Sequence, residues 1–210
     1  MKNIIVVCED LFGLDVYSIL DEINVWYEEN GREKPYHFLG YISEKRYPFG
    51  NVKHGLNYLG SIHEWVPTGK ELYVIGISMP ENKKIVVDQL KKKGCNFETV
   101  RVPWIRDLGI PIGEGSILAT YSVKPDIEIG KFVIAIQSIL TSSVGDYSTI
   151  LRFSNITGSV GDSTYIGNHV YSHLGKTIGN NCYVADGSII VKDIKSGSSV
   201  SGVPARKLRE

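Results

Sequence analysis

The sequence has no surplus of either charge: over 210 residues, 23 Lys and Arg stand against 23 Asp and Glu. That balance excludes the electrostatic footprint of a nucleic-acid partner or an anionic membrane. Long apolar runs are missing too. The five-residue run Ile4–Cys8 stops at Glu9–Asp10, too short and too acidic at its end for a secretory leader, and nothing longer approaches a bilayer span. Only three cysteines occur, Cys8, Cys95 and Cys182, widely separated. An odd number without metal spacing or a disulfide framework reads as reduced thiols in a cytoplasmic protein. Histidines number five, and none has metal-ligand spacing. His54 and His63 are isolated and read as surface or helix-face residues.

Glycine is what the sequence has in plenty, 22 residues with most of the excess from Gly109 onward. The shift marks two architectures, residues 1–107 and 108–210. In the second, Thr177–Leu208 places small aliphatic residues at Ile178, Val184, Ile189–Ile190 and Val200, with Gly, Asn, Asp or Ser between them. A period near six fits neither an amphipathic helix nor an alternating hairpin. It fits a coil of very short strands that each point one aliphatic side chain inward, with Gly or Asn at the strained turn. The pairs Ile112–Gly113, Ile129–Gly130, Val144–Gly145, Val160–Gly161 and Ile178–Gly179 recur at intervals of 17, 15, 16 and 18 residues. A three-sided coil of six-residue sides needs about eighteen, so the middle coils have a tightened corner or an irregular side. About five coils stack from Ile110 to Val200, and only stacking gives them a core. Such a solenoid has flat outer faces that suit a homotrimer, with ligand clefts between subunits.

The first region alternates strand and helix. Asn3–Val7, Tyr36–Ile42, Glu71–Ile77 and Phe97–Val102 read as strands, and Phe12–Tyr27 and Asn82–Lys93 as helices, the second capped by Gly94. This is a small Rossmann-like parallel sheet with helices around it. Its first strand–helix turn, Cys8–Gly13, lacks the GxGxxG that phosphate binding uses; only Gly13 is in place, and it serves helix–strand packing. Glu9 and Asp10 suit the helix dipole but oppose a bound phosphate. Ser43–Glu44, after the second strand, is the place for an acidic residue that holds a ribose hydroxyl. Lys45–Leu56, with three basic and two aromatic residues, reads either as a pocket lining or as a solvated loop. Pro103–Pro111 is a proline-flanked connector.

Three features together, NIIVVCEDLFGLDVYSIL, ELYVIGISMPENKKIVVDQLKKKG and the closing TIGNNCYVADGSIIVKDI…VSGVPARKL, resemble the bacterial hexapeptide-repeat sugar acyltransferases, in particular the sialic-acid O-acetyltransferase and bacillosamine N-acetyltransferase group. The resemblance covers nearly the whole chain. It implies an α/β sheet domain followed by an all-β left-handed parallel β-helix, assembled as a homotrimer. It implies acetyl-CoA, or another acyl-CoA, as co-substrate with no metal, and a sugar or nucleotide-sugar acceptor, in surface polysaccharide or glycan biosynthesis. It expects the acyl-CoA along Gly158, Ile166, Gly167, Ala185, Gly187, Gly202 and Arg206, and the acceptor at Phe12, Gly13, Ser43 and Glu44. No nucleic acid and no membrane insertion are expected.

The family's coils carry a histidine and an acidic residue ahead of a V-I-G-[DE] turn, where the histidine is general base. Counting back from Gly145, those places hold Leu140 and Thr141, and no histidine occurs between His63 and His169. His169 and His173, one coil further on and alternating to one face, are the candidates for the role; as an alternative they simply occupy β-helix corners. Transfer without a protein base is also open, with a positioned amine attacking the thioester and a backbone amide, from Gly158, stabilising the oxyanion. Three functional readings follow: a sugar acyltransferase, an acyltransferase with a non-nucleotide acceptor, and a non-catalytic trimeric relative.

Overall fold

The computed structural model describes residues 1–47, 56–105 and 109–208. Residues 48–55 of the Lys45–Leu56 connection, His54 among them, and residues 106–108 of the Pro103–Pro111 connector lie outside the described residues. The chain forms two compact units, Met1–Ser78 with Asn82–Glu98, and Met79–Glu81 with Thr99–Glu210.

The first unit is built on a five-stranded parallel sheet. Its strands are β1 (Lys2–Cys8), β2 (Tyr36–Ile42), β3 (Tyr58–Gly60), β4 (Leu72–Gly76) and β5 (Asn96–Phe97), ordered β3-β2-β1-β4-β5. Helix α1 (Phe12–Glu29) joins β1 to β2, and α2 (Pro80–Lys92) joins β4 to β5. In α1, Val16, Leu20 and Ile23 follow the helical repeat and are buried, each contributing roughly 1.5–3 kcal/mol on leaving water. The buried Asn24 side chain pins the helix to β2, its Nδ2 donating to Tyr36 O at 2.9 Å and its Oδ1 accepting the Tyr36 amide at 3.1 Å. Gly31 and Gly94, both at positive φ, end the two helices, the second as the sequence predicts. Gly13 is buried where Gly76 of β4 crosses it; a Cβ on Gly76 would lie 2.9 Å from Gly13 Cα. The packing role expected of Gly13 is thus a backbone-to-backbone contact.

Two strand assignments differ from the sequence reading. Strand β3 has no counterpart in the sequence reading, because its three residues carry no alternation. The single strand expected over Phe97–Val102 is two: Asn96–Phe97 closes this sheet, while Val100–Arg101 pairs with Ile117–Leu118 in the second unit.

The second unit is a stack of three-sided coils. One ladder runs through Ile117–Ala119, Ile134–Ile136, Thr149–Ile150, Tyr165–Ile166, Tyr183–Val184 and Ser199–Ser201. A second runs through Ser122–Val123, Ile139–Leu140, Asn155–Ile156, Tyr171–Ser172 and Ile189–Ile190. The third is a column of single bridges, Ile112–Ile129–Val144–Val160–Ile178–Ile194. All three are parallel, and Arg206–Lys207 returns antiparallel to close the last coil. The core is the inward rows, such as Ile150, Ile166, Val184 and Val200 on the first ladder and Leu140, Ile156 and Ile190 on the second, none more than 4 % exposed.

The uneven coil lengths come from corners, not from irregular sides. The step from third to first ladder is always five residues, as from Val144 to Thr149. From first to second it is five in the first two coils (Ile117 to Ser122, Ile134 to Ile139) and six thereafter (Thr149 to Asn155, Tyr165 to Tyr171). The remaining variation lies in the return corner, long at Ser122–Ile129 and Tyr171–Ile178 and short elsewhere.

The turn after the third ladder uses a left-handed residue in each of six coils: Gly115, Phe132, Tyr147, Ser163, Asn181 and Gly197. The expectation that Gly or Asn takes this position holds at only three of them. Phe132 and Tyr147 are held there by stacking, with ring centroids 5.3 Å apart and planes 18° from parallel, which offsets the strain of a positive φ. Gly115 has no such freedom, since a Cβ there would sit 2.3 Å from the Phe132 ring.

Candidate functional site

The predicted acyl-CoA and base residues fall into two groups on the coil unit. Gly167, His169, Ala185, Gly187 and Gly202 belong to the corner between first and second ladders and to the turn that follows the last coil. Gly167 donates to Val184 O, Ala185 to Val200 O, Gly187 to Asn168 O, and Gly202 O accepts from Ile189. Ile166 is fully buried in the core, so only its backbone faces this edge. Arg206 is exposed on the return strand, paired with Ser201. A Cβ on Gly167 would meet Asp186 Oδ1 at 2.1 Å, so that glycine is required by the next coil. At Gly187, with φ 69°, a Cβ would meet nothing within 4 Å. The edge therefore offers backbone and small residues over successive coils, a track on which an extended ligand can lie.

Gly158 and His173 lie at the opposite edge of the second ladder. The Thr157 hydroxyl, beside Gly158, contacts the Ser172 and His173 carbonyls at 2.9 Å each. Gly158 itself packs against the next coil; a Cβ there would lie 1.9 Å from Lys176 O. Along Val170–His173 burial alternates, with Val170 and Ser172 buried and His169, Tyr171 and His173 exposed. Both histidines thus point to the outer side, as alternation predicts, but from opposite ends of the strand. His169 sits at a left-handed corner (φ 55°) and stacks on Phe153, centroids 5.0 Å apart, with Tyr121 stacked beyond at 6.4 Å. His173 meets Tyr171 edge-on at 5.9 Å. Ile139, Phe153, Tyr171 and Leu174 leave apolar surface exposed on this face.

Leu140, at the place counted for the family's histidine, is completely buried and faces the coil interior. It shares this inward register with Ile156, its partner in the next coil. The outward neighbours are Ile139 and Thr141, so a base at position 140 would have no route to a ligand.

In the sheet unit the predicted acceptor residues lie around the carboxyl ends of β1 and β2. Phe12 is half-buried at the start of α1, and Gly13 is buried next to it. Ser43 is fully buried, its amide bonded to Gly60 O and its carbonyl accepting from the Tyr58 phenol at 3.1 Å. Glu44 is exposed, but its carboxylate already accepts from Ser61 Oγ and the His63 amide, both at 2.8 Å. Cys8 ends β1 in full burial, which pushes its thiol up to about 12, with Ser43 pulling the other way. It is an inert core thiol. Sequence reading missed two features here. The Asp10 carboxylate accepts the Phe12 amide at 2.8 Å, legible as an Asx turn ahead of a helix. The Tyr47 phenol donates to the Glu9 carbonyl, while Tyr41 Oη bridges the amide and carbonyl of Tyr47 at 2.8 Å each, for which the sequence carries no signal.

Among the described residues no cluster of three or more His, Cys, Asp or Glu side chains is arranged to hold a metal, and no helix is long and apolar enough to cross a membrane.

No family model matches the sequence. A curated relative, galactoside O-acetyltransferase of Escherichia coli K12, is 42% identical over 52 residues, which is 25% of this chain and 26% of that protein. The chain thus aligns with about a quarter of that relative's length. Solved structures match from end to end. WeeI from Acinetobacter baumannii AYE superposes with a TM-score of 0.78 at 24% identity, covering 99% of this chain and 100% of that one. GDP-perosamine N-acetyltransferase from Caulobacter crescentus, solved as a histidine-to-alanine variant with CoA and GDP-perosamine, gives 0.75 at 15%, over 100% and 98%. The acetyltransferase domain of PglB from Neisseria gonorrhoeae FA1090, with acetyl coenzyme A bound, gives 0.68 at 15%, over 99% of each. The chain therefore shares, over its whole length, the fold of these acetyltransferase structures.

Proposed function

We propose that this protein is a cytoplasmic sugar acyltransferase that moves an acetyl group from acetyl-CoA to an amine or hydroxyl of a sugar in glycan biosynthesis. The observation that carries this is the end-to-end likeness in fold to acetyltransferases, two of them with CoA or acetyl-CoA bound. The sheet unit, which ends at Glu98, is a Rossmann-like acceptor domain, and the coil unit from Thr99 is a left-handed β-helix. The exposed apolar second face, with Ile139, Phe153, Tyr171 and Leu174, supports a homotrimer, because monomers rarely leave such patches uncovered. Acetyl-CoA then lies along the backbone track of Gly167, Ala185, Gly187 and Gly202, with Arg206 at its charged end. The acceptor is held in the sheet unit by Phe12, Gly13, Ser43 and Glu44.

In the reaction the acceptor nitrogen or oxygen attacks the thioester carbonyl, the C–S bond breaks, and CoA leaves as a thiol carrying the acceptor's proton. His169 or His173 moves that proton, and the Gly158 amide stabilises the oxyanion. A second reading, an acceptor with no nucleotide, is favoured by the Asp10 carboxylate at the start of α1.

The test is thiol release from acetyl-CoA in the presence of amino sugars and nucleotide-linked amino sugars. Turnover with at least one is expected, and absence of acetyl-CoA binding overturns the proposal. Of His169→Ala and His173→Ala, one should lower turnover by about 100-fold or more. Unchanged rates in both would leave base-free transfer as the mechanism.

A further inference from the structure

We propose, taking the acyltransferase reading as given, that Asp10 sets the acceptor class: it holds the start of α1 in a form that refuses a nucleoside diphosphate, so the sugar received by the sheet unit carries no phosphate at this turn. In the order β3-β2-β1-β4-β5, β1 is flanked by β2 and β4, and the direction of winding reverses there. Open parallel sheets take ligands at the carboxyl ends of the strands at such a switch point. A phosphate binds there through free amides at the helix start, helped by the helix dipole and by residues without side chains.

Here the dipole is already answered, the first amides are taken, and the one glycine in place, Gly13, is buried. The first three amides of α1 are all engaged. Phe12 N donates to Asp10 Oδ1 at 2.8 Å, Gly13 N to Asp10 O at 3.4 Å, and Leu14 N to Leu11 O at 3.0 Å. The positive end of the helix is answered by a carboxylate that belongs to the chain. Glu9, Asp10 and Leu11 all carry side chains where a pyrophosphate needs bare backbone, and Leu11 is 59% exposed. The turn is also tied down from the β2 side. The Tyr47 phenol donates to Glu9 O, and the Tyr41 phenol holds Tyr47 by both its amide and its carbonyl. Opening the turn to a diphosphate would break these bonds and bring two like charges together. Lys45 and Arg46 on the same segment are exposed, and they are the cations a diphosphate would have to use instead.

The test titrates UDP, GDP and dTDP calorimetrically into the full-length protein, with acetyl-CoA as a parallel titrant. The wild type is expected to show no saturable nucleotide binding. Asp10→Asn keeps an acceptor for the Phe12 amide and removes the charge; Glu9→Ala with Asp10→Gly clears both side chains. Nucleotide affinity should rise in both, by about tenfold or more in the double variant. Micromolar binding of any of the three to the wild type, lost in Lys45→Ala with Arg46→Ala, overturns the proposal. So does a natively melting pair of Asp10 variants with no gain. Failure of acetyl-CoA to bind would instead remove the acyltransferase reading and leave the nucleotide result standing.

Discussion

The two units place their polar side chains against the backbone in opposite ways. In the coil unit one solution repeats. Asp146 accepts the amide of Lys131, Asp162 that of Asp146, Asn180 that of Asp162, and Ser196 that of Asn180, each at 2.8–3.0 Å. Four successive turns are capped by the same position of the next coil. In the sheet unit each acid has its own arrangement. Asp10 caps α1, Glu44 holds the turn at His63, and Glu71 gathers Thr68, Lys70 and Tyr73. A repeated solution makes stability a property of stacking, so damage is transmitted to the neighbouring coil. A single solution confines damage to one loop, and four predictions test that contrast.

The largest effect is expected at the stacked glycines. A Cβ on Gly161 would lie 2.1 Å from Asn180 Oδ1 and 2.7 Å from the Asn180 amide, and the backbone of the next coil has nowhere to go. Gly161→Ala should cost about 3 kcal/mol by urea denaturation. The last repeat, Ile194–Lys195, has lysine at the same place. No further coil of the described chain stacks on it, so Lys195→Ala should move the midpoint hardly at all. Equal losses at the two sites would mean that stacking is not what demands glycine.

Glu71 tests the sheet unit through pH. Burial pushes its carboxyl up, but the hydrogen bonds from Thr68 and Tyr73 outweigh that and bring it down to about 2. A depressed carboxylate contributes stability that is present above its unfolded value near 4.5 and is lost as pH falls towards 2. Denaturation midpoints of the wild type should therefore drop across that window more steeply than those of Glu71→Gln. Parallel curves would show that Glu71 holds no net advantage in the folded state.

These contrasts also explain what the sequence makes legible. The coil unit declares itself because Ile/Val–Gly at intervals of 15–18 residues is forced by inward packing and close backbone approach. The corner lengths are hidden, since a five-residue and a six-residue corner use the same residue types. Strands β1, β2 and β4 are apolar runs and read easily. The three residues of β3 do not, and the Tyr41–Tyr47–Glu9 tie joins positions whose proximity no local pattern records.

A smaller effect separates coil from coil at the side-chain caps. Asp162 is exposed, and its Oδ1 accepts the Asp146 amide at 2.8 Å. Asp162→Ala should cost about 1 kcal/mol, as at a helix cap. Asp162→Asn, which keeps the acceptor, should recover most of it. A loss in Asn as large as in Ala would point to charge rather than to the cap.

An effect of similar size lies inside the corner between first and second ladders. Ser154 sits in a six-residue corner; its hydroxyl donates to Gly167 O at 2.8 Å and accepts the Val170 amide at 3.1 Å. Ser138 holds the same place, directly ahead of the second-ladder strand, in a five-residue corner; it is fully buried, and among the described residues its hydroxyl has no partner. Removing a bonded buried hydroxyl leaves two backbone groups unsatisfied, whereas removing an unbonded one leaves none. Ser154→Ala should therefore cost about 1 kcal/mol or more, and Ser138→Ala should be neutral or slightly stabilising. A loss at Ser138 equal to that at Ser154 would place a hydrogen bond in the short corner, and the two halves of the coil stack would then differ in length alone.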